Sequence, residues 1–373
     1  MVSSTTLIMM ISLIIWTLLC LYYRRGEGDE RGLKVYYGIL GILRTSWGLR
    51  VIDKIGRYKF WQKIGFLSIP IAIVASIITL YTFISSTLGL FSGSIPKESS
   101  KPIIFLFGDV IPWIPGIIAL VLGITLHELA HGIVARSFNL RIKSTGLILL
   151  LGIPLGAFVE IGEDFKKASR KIRGAVASAG PVVNILLFLL VFLITPYVFN
   201  IPSTLTVTKV IEDFPASGIL MEGDIIHSIN GRRIRSLSDF QELVKEIGPG
   251  ETIAVTVVRG EEVKTFQLTT SPQGKIGIVV EPSKSLVFII ETLFWTGILN
   301  LLLGFFNLLP ALPLDGFHIW NAIPEIVRDL KANSKITETI SKYIEYLINE
   351  RSLTTISVTI WLLILASILY SLV

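Results

Sequence analysis

Six stretches of this chain are long and apolar enough to cross a hydrocarbon core as helices, and no other feature restricts its fold as strongly. A core of roughly 30 Å takes about 20 helical residues. The runs near 5–23, 65–90, 113–136, 174–199, 286–309 and 353–373 reach that length. Composition agrees: the mean hydropathy is +0.69 and 17% of residues are charged, against about 25% in soluble domains. A disordered chain and a simple soluble enzyme are thereby excluded. The lone cysteine, Cys20, lies in an apolar run, which excludes an intramolecular disulfide and a cysteine zinc site. The net charge of +6 fits cytoplasmic loops of a membrane protein, with no nucleic-acid partner.

Charge sets the expected orientation. The first run has no basic residue before it and Arg24–Arg25 after it. A cleaved signal peptide shows the reverse order, so an uncleaved anchor with its N-terminus outside is expected. Residues 24–63 hold ten Lys/Arg against four Asp/Glu, and residues 138–173 hold seven Lys/Arg. Both are expected in the cytoplasm. Residues 91–112 carry only Lys97 and Lys101 as basic residues and are expected outside. Span parity and the positive-inside rule agree.

Two parts fall outside this pattern. Residues 200–284 replace apolar runs with alternation, as in Thr252-Ile-Ala-Val-Thr-Val-Val258, which predicts a small strand-rich domain on the outer side. Residues 334–350 read as an amphipathic helix, with Ile336, Ile340, Ile344 and Leu347 on one face, packed on the bundle or lying in the membrane interface.

Chemistry concentrates in His127-Glu-Leu-Ala-His131. Positions i and i+4 share a helix face, so both imidazoles can reach one ion, and Glu128 can act on a water beside it. The motif lies in an apolar span, where each ionisable residue costs about 2.5–3.5 kcal/mol on insertion scales. Zn2+ would satisfy all three groups, whereas a metal-free polar cluster in an ion pathway would satisfy them less completely. Counted from Ile114 at the outer end, His127 lies roughly 20 Å in, so the site is expected nearer the cytoplasmic side. A catalytic zinc takes three protein ligands, and the candidates for the third are Asp315, His318, Glu160 and Asp164. Glu160 follows His131 by 29 residues, a spacing common in soluble zinc proteases. Asp315 sits in Asn307-Leu-Leu-Pro-Ala-Leu-Pro-Leu-Asp-Gly316 at the end of a later span, where Pro310 and Pro313 break the helix.

Taken together, His127-Glu-Leu-Ala-His131 and Asn307…Pro310…Pro313-Leu-Asp315-Gly316 resemble the motif pair of the site-2 protease family of intramembrane zinc metalloproteases. Ser178-Ala-Gly180-Pro181-Val-Val-Asn184 is similar to the family's motif on its middle core span, and Gly152-Ile-Pro-Leu-Gly-Ala-Phe-Val159 to its strand-forming segment. The resemblance covers about 113–318. It implies that His127, His131 and Asp315 bind zinc, that Glu128 is the general base, and that Asn184 holds substrate backbone or the oxyanion. It also implies that Gly152, Pro154 and Gly156 lie in a strand that holds unwound substrate. One geometric demand stands out. Counted from Leu293, Asp315 would lie roughly 33 Å along a continuous helix, deeper than His127, so that helix must tilt, start higher or unwind.

Gly223-Asp-Ile-Ile-His-Ser-Ile-Asn-Gly231, preceded by Ala216-Ser-Gly218, resembles a PDZ core signature. Asn230-Gly231 predicts a hairpin turn. Residues 237–247 predict a helix capped by Ser238, with Leu237, Phe240, Leu243, Val244 and Ile247 inward. His227 reads as ordinary.

The expected fold is an α-helical polytopic membrane protein with a short membrane-embedded strand segment and an inserted extracytoplasmic PDZ-like α/β domain. Its parts are 1–112, a two-span region with a basic cytoplasmic loop, and 113–199, the first half of the protease core. They continue with 200–284, PDZ-like; 285–320, the second core half with the aspartate; and 321–373, the amphipathic helix and last span. The expected activity is zinc-dependent cleavage of transmembrane segments in regulated intramembrane proteolysis, at the cell membrane. The partners are membrane-protein substrates, the lipid bilayer and a peptide or substrate tail at the PDZ-like domain. The alternatives are a membrane zinc protease with Glu160 as third ligand acting on cytoplasmic loops, and a non-catalytic PDZ scaffold.

Overall fold

A computed structural model describes residues 4–23, 32–45, 47–96, 110–329 and 335–372. Arg24, Arg25, Lys97, Lys101 and the side chain of Ile336 lie outside the described residues. The chain divides into two compact units, 1–189 with 295–373, and 190–294.

The first unit is mostly helical. Among the described residues, five helices are long and apolar enough to cross a membrane. In the element order these are α3 (Phe60–Phe91), α4 (Trp113–Ser137), α6 (Arg170–Val198), α8 (Lys284–Asn307) and α11 (Glu350–Leu372), with α6 and α8 running on into the second unit. Helix α1 (Ser4–Tyr23) covers the first predicted run, with a shorter apolar stretch over Met10–Tyr22. Short helices α2 (Trp47–Gly56) and α5 (Asp164–Lys167) precede α3 and α6.

A four-stranded antiparallel sheet accompanies the helices, in the order β1 (Gly32–Tyr36), β2 (Leu40–Thr45), β3 (Ile142–Leu150), β4 (Ile153–Ile161). Only one strand-forming segment, 152–159, was expected, and it falls on β4. Residues 24–63 read as a loop from their charge, yet they supply β1, β2 and α2. Five- and six-residue strands between basic residues leave no run long enough to signal a span. The β3–β4 turn, Leu151–Gly152, has φ of +47° and +86°, the paired left-handed geometry of a tight hairpin. Helix α1 packs on this turn and on the β1–β2 turn: Ser12 Oγ donates to Leu151 O, and Trp16 Nε1 donates to Gly38 O at 3.0 Å.

Helix α8 resolves the depth conflict in two ways. It begins nine residues before Leu293, at Lys284, and ends at Asn307, so residues 308–314 are irregular before α9 (Asp315–Asp329) starts. Helix α10 (Lys335–Leu347) falls where the amphipathic pattern predicted, with Ile340 and Leu347 exposed and Ser341 buried.

The second unit is built on a sheet of order β10-β5-β6-β8-β9, with β7 on β6. Its elements are β5 (Leu205–Val210), β6 (Ile225–Ile229), β7 (Arg232–Arg233), α7 (Leu237–Glu246), β8 (Thr252–Arg259), β9 (Glu262–Thr269) and β10 (Ile278–Glu281). The β6–β7 turn at Asn230–Gly231 has positive φ at both residues, as its sequence predicted. The core centres on Leu205, Val207, Ile226, Ile229, Leu243, Ile253 and Val255. Two details differ from expectation. The cap of α7 is Ser236, whose Oγ accepts from Asp239 N at 3.1 Å, while Ser238 N bonds Phe199 O. Val244 points outward, 40% exposed, because Leu237, Phe240, Leu243 and Ile247 already fill the inner stripe. Asp224 is 1% exposed and takes a bidentate grip from Arg259 Nε and Nη2, both at 2.7 Å. That grip holds its carboxyl below the ordinary aspartate range.

Candidate metal centre

His127 and His131 project from one face of α4, 5% and 9% exposed. Their Nε2 atoms lie 3.1 Å apart. Asp315, at the first turn of α9, brings Oδ2 to 3.1 Å from His127 Nε2 and 3.3 Å from His131 Nε2. Donors around a tetrahedral zinc with bonds near about 2.0–2.1 Å stand about 3.3 Å apart. The three atoms therefore have the spacing of one zinc's ligand set, and among the described residues they form the one group of histidines and acids close enough to hold an ion.

The second nitrogen of each ring is occupied as a metal ligand requires. His131 Nδ1 donates to Val176 O at 2.7 Å. His127 Nδ1 lies 3.0 Å from Asn184 Nδ2, and Asn184 Oδ1, on a residue with no exposed surface, is buried without a partner. A histidine bound through Nε2 carries its proton on Nδ1, and turning the amide over brings the orphaned oxygen to that proton as its acceptor. The observation favours an occupied ligand set. The same contact turns the Asn184 amide toward the back of His127, where the sequence had it expected to meet substrate.

Gly180 makes the approach of α6 possible. A Cβ there would fall 2.7 Å from His127 Nε2 and closer still to His131 Nε2. Glu128 lies on the adjacent face, and its Oε2 accepts from Val159 N of β4 at 2.9 Å. A cavity of about 330 Å³ opens onto His127, Glu128, His131 and Asp315, walled by Ile124, Leu303, Asn307 and Pro313. Asn307 was quoted within the aspartate motif without a role of its own. Its place three residues before the helix-breaking Pro310 was the available signal.

The remaining predicted residues separate. Pro154 and Gly156 border a narrow crevice between β4 and α4, with Val121, Thr125 and Ala157. Gly152 does not reach it. It sits at the hairpin tip, where a Cβ would meet Ser12 O at 2.8 Å, so helix α1 occupies that surface. Glu160 accepts from Ser144 Oγ at 2.7 Å and pairs with Lys143. Asp164 accepts from Arg141 N at 2.7 Å. His318 stacks edge-on to Phe165 and Phe317, and burial holds its ring below the ordinary histidine range. None of these three joins the cluster.

Two imidazoles, a distant aspartate and an adjoining glutamate, enclosed by apolar helices of spanning length, define the class: a membrane zinc metalloprotease. Comparison with known proteins gives the family. Residues 115–348 match the model of peptidase family M50, and the chain belongs to that family. It is 48% identical to an uncharacterized protein of Methanocaldococcus jannaschii over 99% of this chain and 98% of that one. It is 26% identical to a candidate zinc metalloprotease of Agrobacterium fabrum over 48% of this chain and 60% of that one. Among solved structures, the PDZ domain of the SdrC-like protein from Listeria innocua aligns at 27% identity and TM-score 0.19, covering 21% of this chain and 93% of that domain.

Proposed function

We propose that this chain is an intramembrane zinc endopeptidase that cuts transmembrane segments of membrane-protein substrates in regulated intramembrane proteolysis. The carrying observation is the convergence of His127, His131 and Asp315 within 3.3 Å of one another, on elements flanked by spanning helices. In this reading α1 is a sixth span. The loops bearing most basic residues face the cytoplasm, the PDZ-like unit lies outside, and the site is nearer the cytoplasmic side.

His127, His131 and Asp315 would hold the zinc, which when bound supplies Lewis acidity that acidifies water and polarises a carbonyl. Glu128 faces the same cavity and is the group placed to take the proton of the attacking water and return it to the leaving amine. Asn184 would keep His127 aimed and correctly protonated. Asn307, on the cavity wall, is better placed than Asn184 to meet the substrate carbonyl. A helical substrate hides its carbonyls in its own hydrogen bonds and must unwind. Strand β4 ends its sheet, and Val159 N points away from β3 toward Glu128. By strand alternation Ala157 presents its N–H and C=O on that same side. That edge, with Pro154 and Gly156 along it, would take the unwound stretch by strand addition. In the second unit β10 likewise ends its sheet and would take a peptide or substrate tail in the same mode.

Glu128→Gln tests the reading. Zinc content should stay at the wild-type level while cleavage of a model transmembrane substrate in proteoliposomes stops. Wild-type cleavage by this variant would refute the assignment.

A further inference from the structure

The aspartate rides on seven residues of irregular backbone, and the bonds that hold this backbone come partly from helices outside α4, α6 and α8. Every N–H from Leu308 to Leu314 has a partner. Leu308 bonds Phe305 O, Leu309 bonds Phe306 O, Ala311 bonds Leu309 O and Leu314 bonds Ala311 O; Pro310 and Pro313 have none to place. The exception to this local pairing is Leu312. Its N–H donates to Ser357 Oγ of α11 at 2.8 Å, and its C=O accepts from Trp361 Nε1 of α11 at 2.7 Å. At the other end of the segment, Ser76 Oγ of α3 donates to Leu308 O at 2.6 Å and accepts from Trp320 Nε1 of α9 at 2.7 Å. Ser76 has no exposed surface and Ser357 is 5% exposed. Gly316 closes the arrangement, since a Cβ there would collide with the Leu308 and Leu309 carbonyls.

We propose that Ser76 of α3 and Ser357 and Trp361 of α11 are positioning residues for the Asp315 carboxylate, so that two helices bearing no ligand set the affinity and geometry of the metal centre. The proposal rests on the zinc reading above. Asp315 follows Leu312 by three residues, and metal–ligand distances tolerate only about 0.2 Å. A shift of the segment by a fraction of an ångström therefore passes to the carboxylate. A bond serving only to satisfy backbone in an apolar medium would matter for stability and leave the metal geometry alone, and this difference is measurable.

The experiment uses the full chain in lipid nanodiscs. Ser76→Ala, Ser357→Ala, Trp361→Phe and the double variant Ser357→Ala/Trp361→Phe are compared with Thr359→Ala, whose hydroxyl bonds only its own helix at Thr355 O. Zinc affinity is read by chelator competition, and ligand geometry by the visible absorption of the cobalt-substituted protein. The double variant should bind zinc about 10- to 100-fold more weakly with altered cobalt bands. Ser357→Thr, which keeps the hydroxyl acceptor, and Thr359→Ala should both match wild type. Wild-type affinity and spectrum in the double variant would overturn the proposal. If the double variant fails to fold, Trp361→Phe alone decides, with about a fivefold loss expected for one neutral hydrogen bond and an unchanged affinity refuting it. A wild-type protein that binds no zinc, or an Asp315→Ala variant that binds it normally, would overturn the zinc reading itself and this proposal with it.

Discussion

Gly180→Ala puts the geometry of the metal centre to a quantitative test. The added Cβ would stand 2.7 Å from His127 Nε2 and 2.7 Å from His131 Cε1, roughly 0.8 Å inside an ordinary contact of about 3.5 Å. Relief must come from α6 or from the rings. Helix α6 is pinned on both sides: Val176 O holds His131 at 2.7 Å, and Ser178 Oγ meets Ser68 Oγ of α3 at 2.6 Å. The rings are the softer partner, and a displacement of that size exceeds the roughly 0.2 Å tolerance of a ligand set. Zinc affinity should fall about 10- to 100-fold, or about 1.4–2.8 kcal/mol. Overpacking should separately cost about 1–3 kcal/mol of stability. Gly89→Ala separates the two effects. Its Cβ would meet the Ile95 side chain at 2.8 Å and no atom of a helix that carries a ligand, so it should destabilise without changing zinc affinity. The assay is zinc per protein by elemental analysis after equilibration at graded free zinc, with a thermal melt of each variant. A folded Gly180→Ala protein that retains wild-type zinc affinity would refute the geometry.

The other expectations read different parts of the molecule. Asp315→Ala should lower zinc occupancy far more than Glu160→Ala, measured in the same way, because Glu160 is committed to Ser144 and Lys143. Asn184→Leu should weaken zinc binding about tenfold or more, whereas Asn307→Leu should leave zinc in place and lower kcat; the reverse ranking in a cleavage assay would exchange their roles. Chelation should leave the helix content seen by circular dichroism unchanged, since contacts such as Ser68–Ser178 hold the helices together without the ion. In the second unit the Asp224 carboxyl is held low by Arg259. Its stabilisation is then fully present above the unfolded aspartate value of about 3.9 and lost as pH falls through the lower folded value. Hydrogen exchange from β5, β6 and β8 should be flat from pH 7 to 5 and accelerate, after correction for intrinsic rates, only in stronger acid; Arg259→Met should bring that acceleration to higher pH.

How legible this was in the sequence differs by element. The helix-period pair His127 and His131, the runs that became α3, α4, α6, α8 and α11, and the Asn230–Gly231 turn are local signals, and local physics reproduces them. The pairing of β1 and β2 with β3 joins residues about a hundred positions apart, as in Gly41 with Leu149, and no local pattern carries such a register. Asn184 shows a second kind of limit. Its span and its proximity to the motif were readable, but whether an amide faces the substrate or the back of a ligand depends on a rotation of α6 that Gly180 fixes through contact. Gly152 shows a third limit. Its left-handed φ of +86° is by itself reason for a glycine, so the sequence does not tell a hairpin glycine from one that meets substrate.

The depth mismatch between the two motifs is the most informative feature of the chain. A continuous helix would carry Asp315 roughly 33 Å from Leu293, beyond the plane of the histidines. The chain meets them by starting α8 at Lys284, ending it at Asn307 and opening seven residues of backbone before α9. Opening a helix in an apolar medium is tolerable only where each freed group finds a partner. Two prolines remove two donors, local turns take four, and Ser357 and Trp361 take the Leu312 pair. The break that brings the carboxylate to the imidazoles therefore depends on α11, a helix carrying none of the chemistry. It follows that the family's paired motifs describe the ligands of such a site but not all of what holds them at 3.1 Å and 3.3 Å.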